Sequence, residues 1–169
     1  MALSLPPLTV YVHLPWCVAK CPYCDFNSHA LTGNLPVDET VEALIRDLEH
    51  DLPRVYGRTV SAIFIGGGTP SLFPADAIER ILQAISARLR LAPGAEVTME
   101  ANPGAVEHDR FAAYRAAGVN RISLGVQSFD EERLKLLGRI HGPGEAHGAI
   151  EAIRDAGFDT FNVDLMWAL

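Results

Sequence analysis

Positive charge is scarce in this chain: 14 Lys and Arg stand against 21 Asp and Glu among 169 residues, a formal net charge of −7. The basic residues are scattered, with no block of five or six, so the clustered cations that bind nucleic-acid phosphates are missing. Nucleic acid is therefore not expected as a main partner. No apolar run approaches the roughly 20 residues that cross a bilayer as a helix. The opening stretch, Met1 to Pro7, has neither the basic start nor the long apolar core of a secretory signal, and a cytoplasmic location is the expectation. Cysteine is rarer still. Only Cys17, Cys21 and Cys24 occur, and an odd, tightly packed set is a poor disulfide framework. Metal binding is the better use for them.

What the chain does have is apolar material, 49% of its residues, enough to bury one domain core. It is arranged as a β/α alternation. Val10 to Leu14 reads as a strand stopped by Pro15. From Asp38 to Leu52, the residues Val41, Leu44, Ile45, Leu48 and Leu52 recur at helical spacing. Val60 to Ile65 is a short apolar strand running into Gly66-Gly67-Gly68. Ile78, Ile81, Leu82, Ile85 and Leu89 repeat the helical period, with Pro93-Gly94 expected to end that element. Glu96 to Met99 is a third strand, and a helix around Asp109 to Ala117 is closed by Gly118. Ile122, Leu124 and Val126 mark a fourth strand. Helices around Glu131 to Leu137 and Glu145 to Ala156 precede a last strand, Phe158 to Leu165. The Ala-Gly-strand unit at Ala117 recurs at Ala156, the signature of a repeated β/α unit. Five parallel strands do not close a barrel, so the chain reads as a fragment of a longer protein; an open five-stranded α/β sheet is the alternative.

The cysteines are spaced C-x3-C-x2-C, and Pro22 between the second and third disfavours a regular helix, so the thiols wrap around a loop. Three thiolates fill three corners of a cubane iron–sulfur cluster and leave the fourth iron open to an exogenous ligand. Zinc completed by His13 or His29 remains an alternative, as do free structural thiols.

Further stretches set this loop in context. Tyr11-Val12-His13-Leu14-Pro15-Trp16-Cys17 leads into Cys21-Pro22-Tyr23-Cys24-Asp25-Phe26. Downstream follow Gly66-Gly67-Gly68-Thr69-Pro70-Ser71, Glu100-Ala101-Asn102-Pro103, Gly125-Val126-Gln127-Ser128-Phe129, Arg139 and Asn162-Val163-Asp164-Leu165-Met166. In this order the motifs resemble the radical S-adenosylmethionine (SAM) proteins of the oxygen-independent coproporphyrinogen III oxidase group. The resemblance implies an α/β fold, a partial (β/α)6 radical SAM barrel truncated after about five strands. Residues 1–169 would form one incomplete core domain, its last strand and a C-terminal domain absent. It implies a [4Fe–4S] cluster on Cys17, Cys21 and Cys24. It also implies SAM contacts from Tyr11, Tyr23, Gly67, Gly68, Thr69, Glu100, Gln127, Arg139 and Asp164. Independently, Thr69, Glu100, Gln127 and Asp164 each fall at or just past the C-terminal end of an expected strand, the functional face of parallel barrels. Each also has a plainer reading: tight-turn glycines, a capping or solvent-facing Glu100, an Asx turn at Asp164, a surface Arg139.

One departure divides the group. The decarboxylating oxidases resemble C-x3-C-x2-C-x-C, and here the last position is Phe26. The resemblance then shifts towards members that bind haem and deliver it to haem-requiring proteins. Their haem contacts lie in a C-terminal region, so none of His13, His29, His141 or His147 is assigned as a haem ligand.

Overall fold

A computed structural model describes residues 5–104 and 110–168. Five parallel strands form one sheet: β1 (Leu8–Leu14), β4 (Thr59–Gly67), β5 (Arg90–Ala101), β6 (Arg121–Gln127) and β7 (Thr160–Leu165). They lie side by side in chain order, β1 and β7 at the two edges, so the sheet curves without closing. The connecting helices are α1 (Val37–Val55), α2 (Ala75–Arg88), α3 (Phe111–Ala116), α4 (Glu131–Leu136) and α5 (Pro143–Asp155). A second, two-stranded ladder, β2 (Trp16–Cys17) with β3 (His29–Ala30), was not legible in the sequence.

Alternation along the strands sorts their side chains onto two faces. Val12, Leu14, Ile63, Ile65, Met99 and Ile122 are buried on the helix side. There they meet Val41 of α1, Ile78 and Ile81 of α2, and Phe111 and Tyr114 of α3 in one apolar cluster. Each such side chain contributes up to roughly 1.5–3 kcal/mol by leaving water. The other face carries polar residues beside the aromatic pair Tyr11 and Phe64. Register places Phe64 opposite Thr98, and Glu100 opposite Ser123, which in turn faces Asn162. Strands of a fully buried parallel sheet would be apolar on both faces, so this concave side is built to meet water or a ligand.

Helix ends decide how the chain re-enters the sheet. After α3, Gly118 takes φ +109 and the Val119 N–H bonds back to the Tyr114 carbonyl at 3.1 Å. After α5, Gly157 takes φ +79 and Phe158 N–H reaches the Ile153 carbonyl at 3.3 Å. Both are Schellman endings, which explains the repeated Ala-Gly unit. In each, the residue after the glycine, Val119 or Phe158, is a buried apolar anchor.

The expected stop at Pro93-Gly94 is corrected by the structure. Helix α2 already ends at Arg88, and β5 runs from Arg90 through the Pro93-Gly94 pair. Gly94, at φ +71, lies in a stretch where pairing with β4 shifts register between Val60 and Ala62, a bulge that interrupts a strand without ending it. Asp109, the expected start of the third helix, and the segment Met1 to Ser4 lie outside the described residues.

Candidate functional site

The site is built from the strands' C-terminal ends and the loop between β2 and β3. That loop is clamped at its base: His29 N–H donates to the Pro15 carbonyl and Leu31 N–H to the Cys17 carbonyl, each at 2.8 Å. Within it, Cys24 N–H bonds to the Cys21 carbonyl at 3.0 Å, closing a turn with Pro22 at its second position, where the fixed φ of proline is favoured. Lys20 Nζ donates to the carbonyls of Phe26 and Ser28 at 3.1 Å each, which braces the far side. All three cysteines are unpaired thiols on the wall of one cavity, Cys17 buried and the other two half-buried.

The glycine run passes directly beneath. Gly68 N–H donates to the Leu14 carbonyl and Thr69 N–H to the Trp16 carbonyl, both at 2.7 Å. Gly67, at φ +117, turns its N–H onto Glu100 Oε2 at 3.1 Å. Burial raises the Glu100 carboxyl above its usual range; the Gly67 N–H opposes this, and the nearby Asp164 charge adds to it. Asp164 Oδ1 accepts from Asn162 Nδ2 at 2.7 Å, and Ser123 Oγ lies 3.4 Å from its other oxygen.

Arg139 lies at the heart of this wall. It follows Gly138, whose φ is +68, and its N–H bonds to the Leu134 carbonyl at 2.9 Å. This is a third Schellman ending, with arginine where the other two place a buried apolar residue. Its guanidinium donates through Nη2 to the Gly125 carbonyl at 2.7 Å and Asn102 Oδ1 at 2.5 Å, and through Nη1 to Cys21 Sγ at 3.6 Å. The Nε is buried without a partner among the described residues. Asn102 Nδ2 also donates to Thr69 Oγ1 at 3.1 Å, so one amide ties Arg139 to Thr69.

Of the residues the sequence singled out, Tyr23, Gly67, Gly68, Thr69, Glu100 and Gln127 line the same cavity as the cysteines, together with Arg139 and Asp164. Gln127 has φ +68, uncommon for a side-chain-bearing residue, and its carbonyl accepts from Met166 N–H at 2.9 Å. Tyr11 is not in that lining. It lies mid-strand on the concave face, stacked on Phe64 at 6.1 Å, and its phenol is raised by burial and by the Glu100 charge. His13 and His29 are also outside the lining. His13 Nε2 donates to the Asn27 carbonyl at 2.8 Å, leaving Nδ1 to accept from Tyr11 Oη at 3.3 Å.

Asn102 and Ser123 line the cavity as well, and sequence reasoning assigned neither. Asn102 stood inside a quoted motif, and an amide beside a strand-end carboxylate was the available signal. Ser123 carried none beyond alternation.

Three thiols spread over one cavity wall are a donor set that suits an iron–sulfur cubane. Among the described residues, no three Cys, His, Asp or Glu side chains converge on one point that an ion could occupy. A cubane asks instead for one thiolate per iron, spread over a wall. Glu100, Asn102, Gln127, Arg139 and Asp164 on the same cavity wall leave polar groups for a second ligand.

The comparisons agree with this geometry. The chain is similar to the heme chaperone HemW of Escherichia coli (strain K12), 59% identical over 167 residues, which cover 99% of this chain and 44% of that protein. The heme chaperone HemW of Haemophilus influenzae (strain ATCC 51907 / DSM 11121 / KW20 / Rd) is 48% identical over 170 residues, covering 98% of this chain and 44% of the relative. The chain thus spans less than half the length of these curated relatives. Among solved structures, coproporphyrinogen III oxidase (HemN) from Escherichia coli, described as a radical SAM enzyme, superposes with a TM-score of 0.86 at 32% identity, over 96% of this chain and 38% of the other. A loop of three thiols above a glycine turn, at the C-terminal rim of an open parallel β/α sheet, is matched by the model of the Radical SAM superfamily from residue 11 to 169, and the chain belongs to that superfamily.

Proposed function

We propose that Cys17, Cys21 and Cys24 hold a [4Fe–4S] cluster, that SAM occupies the cavity beside it, and that the whole protein is a haem chaperone delivering haem to haem-requiring proteins. One observation carries the site: the three thiols share a single cavity wall with Thr69, Glu100, Arg139 and Asp164. A cluster bound there supplies, when reduced, the single electron that opens a sulfonium C–S bond. The chain's own part is positioning. Glu100, held by the Gly67 N–H, accepts the ammonium of SAM, and the Arg139 guanidinium on the same wall meets its carboxylate, both charge-assisted hydrogen bonds. Thr69, Gln127 and Asp164 complete the polar wall, with backbone Gly67 and Gly68 below; Tyr23 flanks the thiols and Tyr11 the strand face.

The haem role rests on the 59% identity to HemW and on Phe26, an exposed ring on the cavity rim where the resembling oxidases carry a cysteine. The structural likeness to HemN favours a second reading, decarboxylation of coproporphyrinogen III. Anaerobic reconstitution followed by iron analysis, then haem transfer and coproporphyrinogen turnover by the full-length protein, separates them. About four irons per chain with haem transfer and no decarboxylation supports the chaperone. Turnover with SAM and a reductant would install the oxidase, and zinc in place of iron would refute both.

A further inference from the structure

The three thiols are not equivalent. Cys21 Sγ receives Arg139 Nη1 at 3.6 Å, the one cation bonded to a cysteine sulfur among the described residues. Cys24 Sγ has a hydroxyl neighbour, Ser28 Oγ at 3.7 Å, and no cation bonded to it among the described residues. We infer that Arg139 sets the reduction potential of the cluster through the sulfur of Cys21. This rests on the reading of Cys21 as a cluster ligand.

The arrangement is built, and several features hold it. Arg139 occupies the position after a Schellman glycine that Val119 and Phe158 fill with apolar side chains at the corresponding helix ends. Burying a guanidinium there is costly unless its donors are used. Two are fixed by the Gly125 carbonyl and Asn102, which leaves Nη1 directed at Cys21 without rotational freedom. Gly125 gives this pair its room, since a Cβ would stand 3.1 Å from Asn102 Oδ1 and displace it by a few tenths of an ångström. Gly138 must lack a side chain: its Cβ would meet Pro22 Cδ at 2.8 Å, so the Cys21-Pro22 turn rests on the residue next to Arg139.

A reduced cluster carries one more negative charge than an oxidised one. A fixed cation and N–H or O–H donors at a ligand sulfur stabilise the reduced form more, which raises the potential. Because Nη1 acts on the sulfur, the effect precedes SAM binding.

The test is a potentiometric titration, read by electron paramagnetic resonance, of the anaerobically reconstituted chain without SAM, with iron counted in every sample. Arg139→Gln should shift the midpoint to more negative potential, and Arg139→Lys should fall between wild type and Arg139→Gln. Loaded clusters with unmoved potentials in Arg139→Gln and Arg139→Lys would overturn the inference alone. Loss of iron from both variants while wild type stays loaded would also overturn it, by making the donors a requirement for assembly. Failure of the wild-type chain to take up a cluster would strike at the ligand reading of Cys21 itself.

Discussion

Gly68 lies so close to Trp16 that a Cβ on it would stand 2.5 Å from the Trp16 carbonyl oxygen and 2.8 Å from the Pro15 carbonyl carbon. Both neighbours are backbone, immediately before Cys17, and neither can rotate away. The glycine turn is thus the floor on which the thiol loop rests. Gly68→Ala is expected to push that loop off its seat, break the Thr69 N–H bond to Trp16, and cost several kcal/mol. Iron retained after gel filtration and the thermal midpoint should both fall; a variant that keeps full iron and wild-type melting would show that the floor is not needed.

Glu100 gives a pH dependence with a definite sign. Its carboxyl is raised, chiefly by burial, so it protonates at a higher pH than an ordinary surface glutamate. Binding of the SAM ammonium needs the charged form, so affinity is fully present above the raised value and is lost as pH falls through it. Asp164, His13 and Tyr11 also face this group and set the background. In Glu100→Gln, affinity at neutral pH should drop and its acid limb should disappear, as read by calorimetry. An identical acid limb in the variant would assign it to another group.

For folding, the same shift has the opposite consequence. A raised carboxyl contributes stability below its unfolded value and loses it as pH rises through the folded one. Glu100→Gln should therefore melt no lower than wild type at neutral pH, and any advantage should close in acid. A neutral-pH melting point well below wild type would mean that the Gly67 bond outweighs the buried charge.

Asn102 joins Arg139 to Thr69 through the two ends of one amide. Removing it in Asn102→Ala frees both and should weaken SAM binding by about tenfold or more, in line with loss of a hydrogen bond to a charged group. The fold should be kept, since Asn102 is outside the apolar cluster. Unchanged SAM affinity would reduce Asn102 to a bystander.

Tyr114 supports the site from behind. Its buried hydroxyl lies 2.8 Å from the carbonyls of both Ser71 and Phe73, holding the segment after the glycine turn against α3. Tyr114→Phe should cost about 1–2 kcal/mol in chemical denaturation. A smaller change would mean that Arg110 Nη1, 3.2 Å from the Ser71 carbonyl, carries that segment.

Much of this protein was written in residue order. Apolar periodicity located α1, α2 and the strands around Ile63 and Ile122, because helical and extended spacing are properties of the chain alone. Gly118 and Gly157 marked helix ends for the same local reason: only a residue without a side chain adopts their backbone cheaply. The thiol spacing, with Pro22 inside it, specified a loop that gathers the three thiols. What failed was also local. Pro93-Gly94 reads as a stop, but its neighbours on β4 absorb it as a bulge.

Which side chains meet was decided by the fold. Nothing at Arg139 distinguishes it from a surface arginine until the third Schellman turn and the parallel register carry it to Cys21, 118 positions earlier, and to Asn102. The β2–β3 ladder and the inward path of Asn102 belong to this class as well. Such contacts depend on strand order and sheet curvature, which no window of sequence contains, whereas the thiol spacing and glycine turns needed only their own backbone.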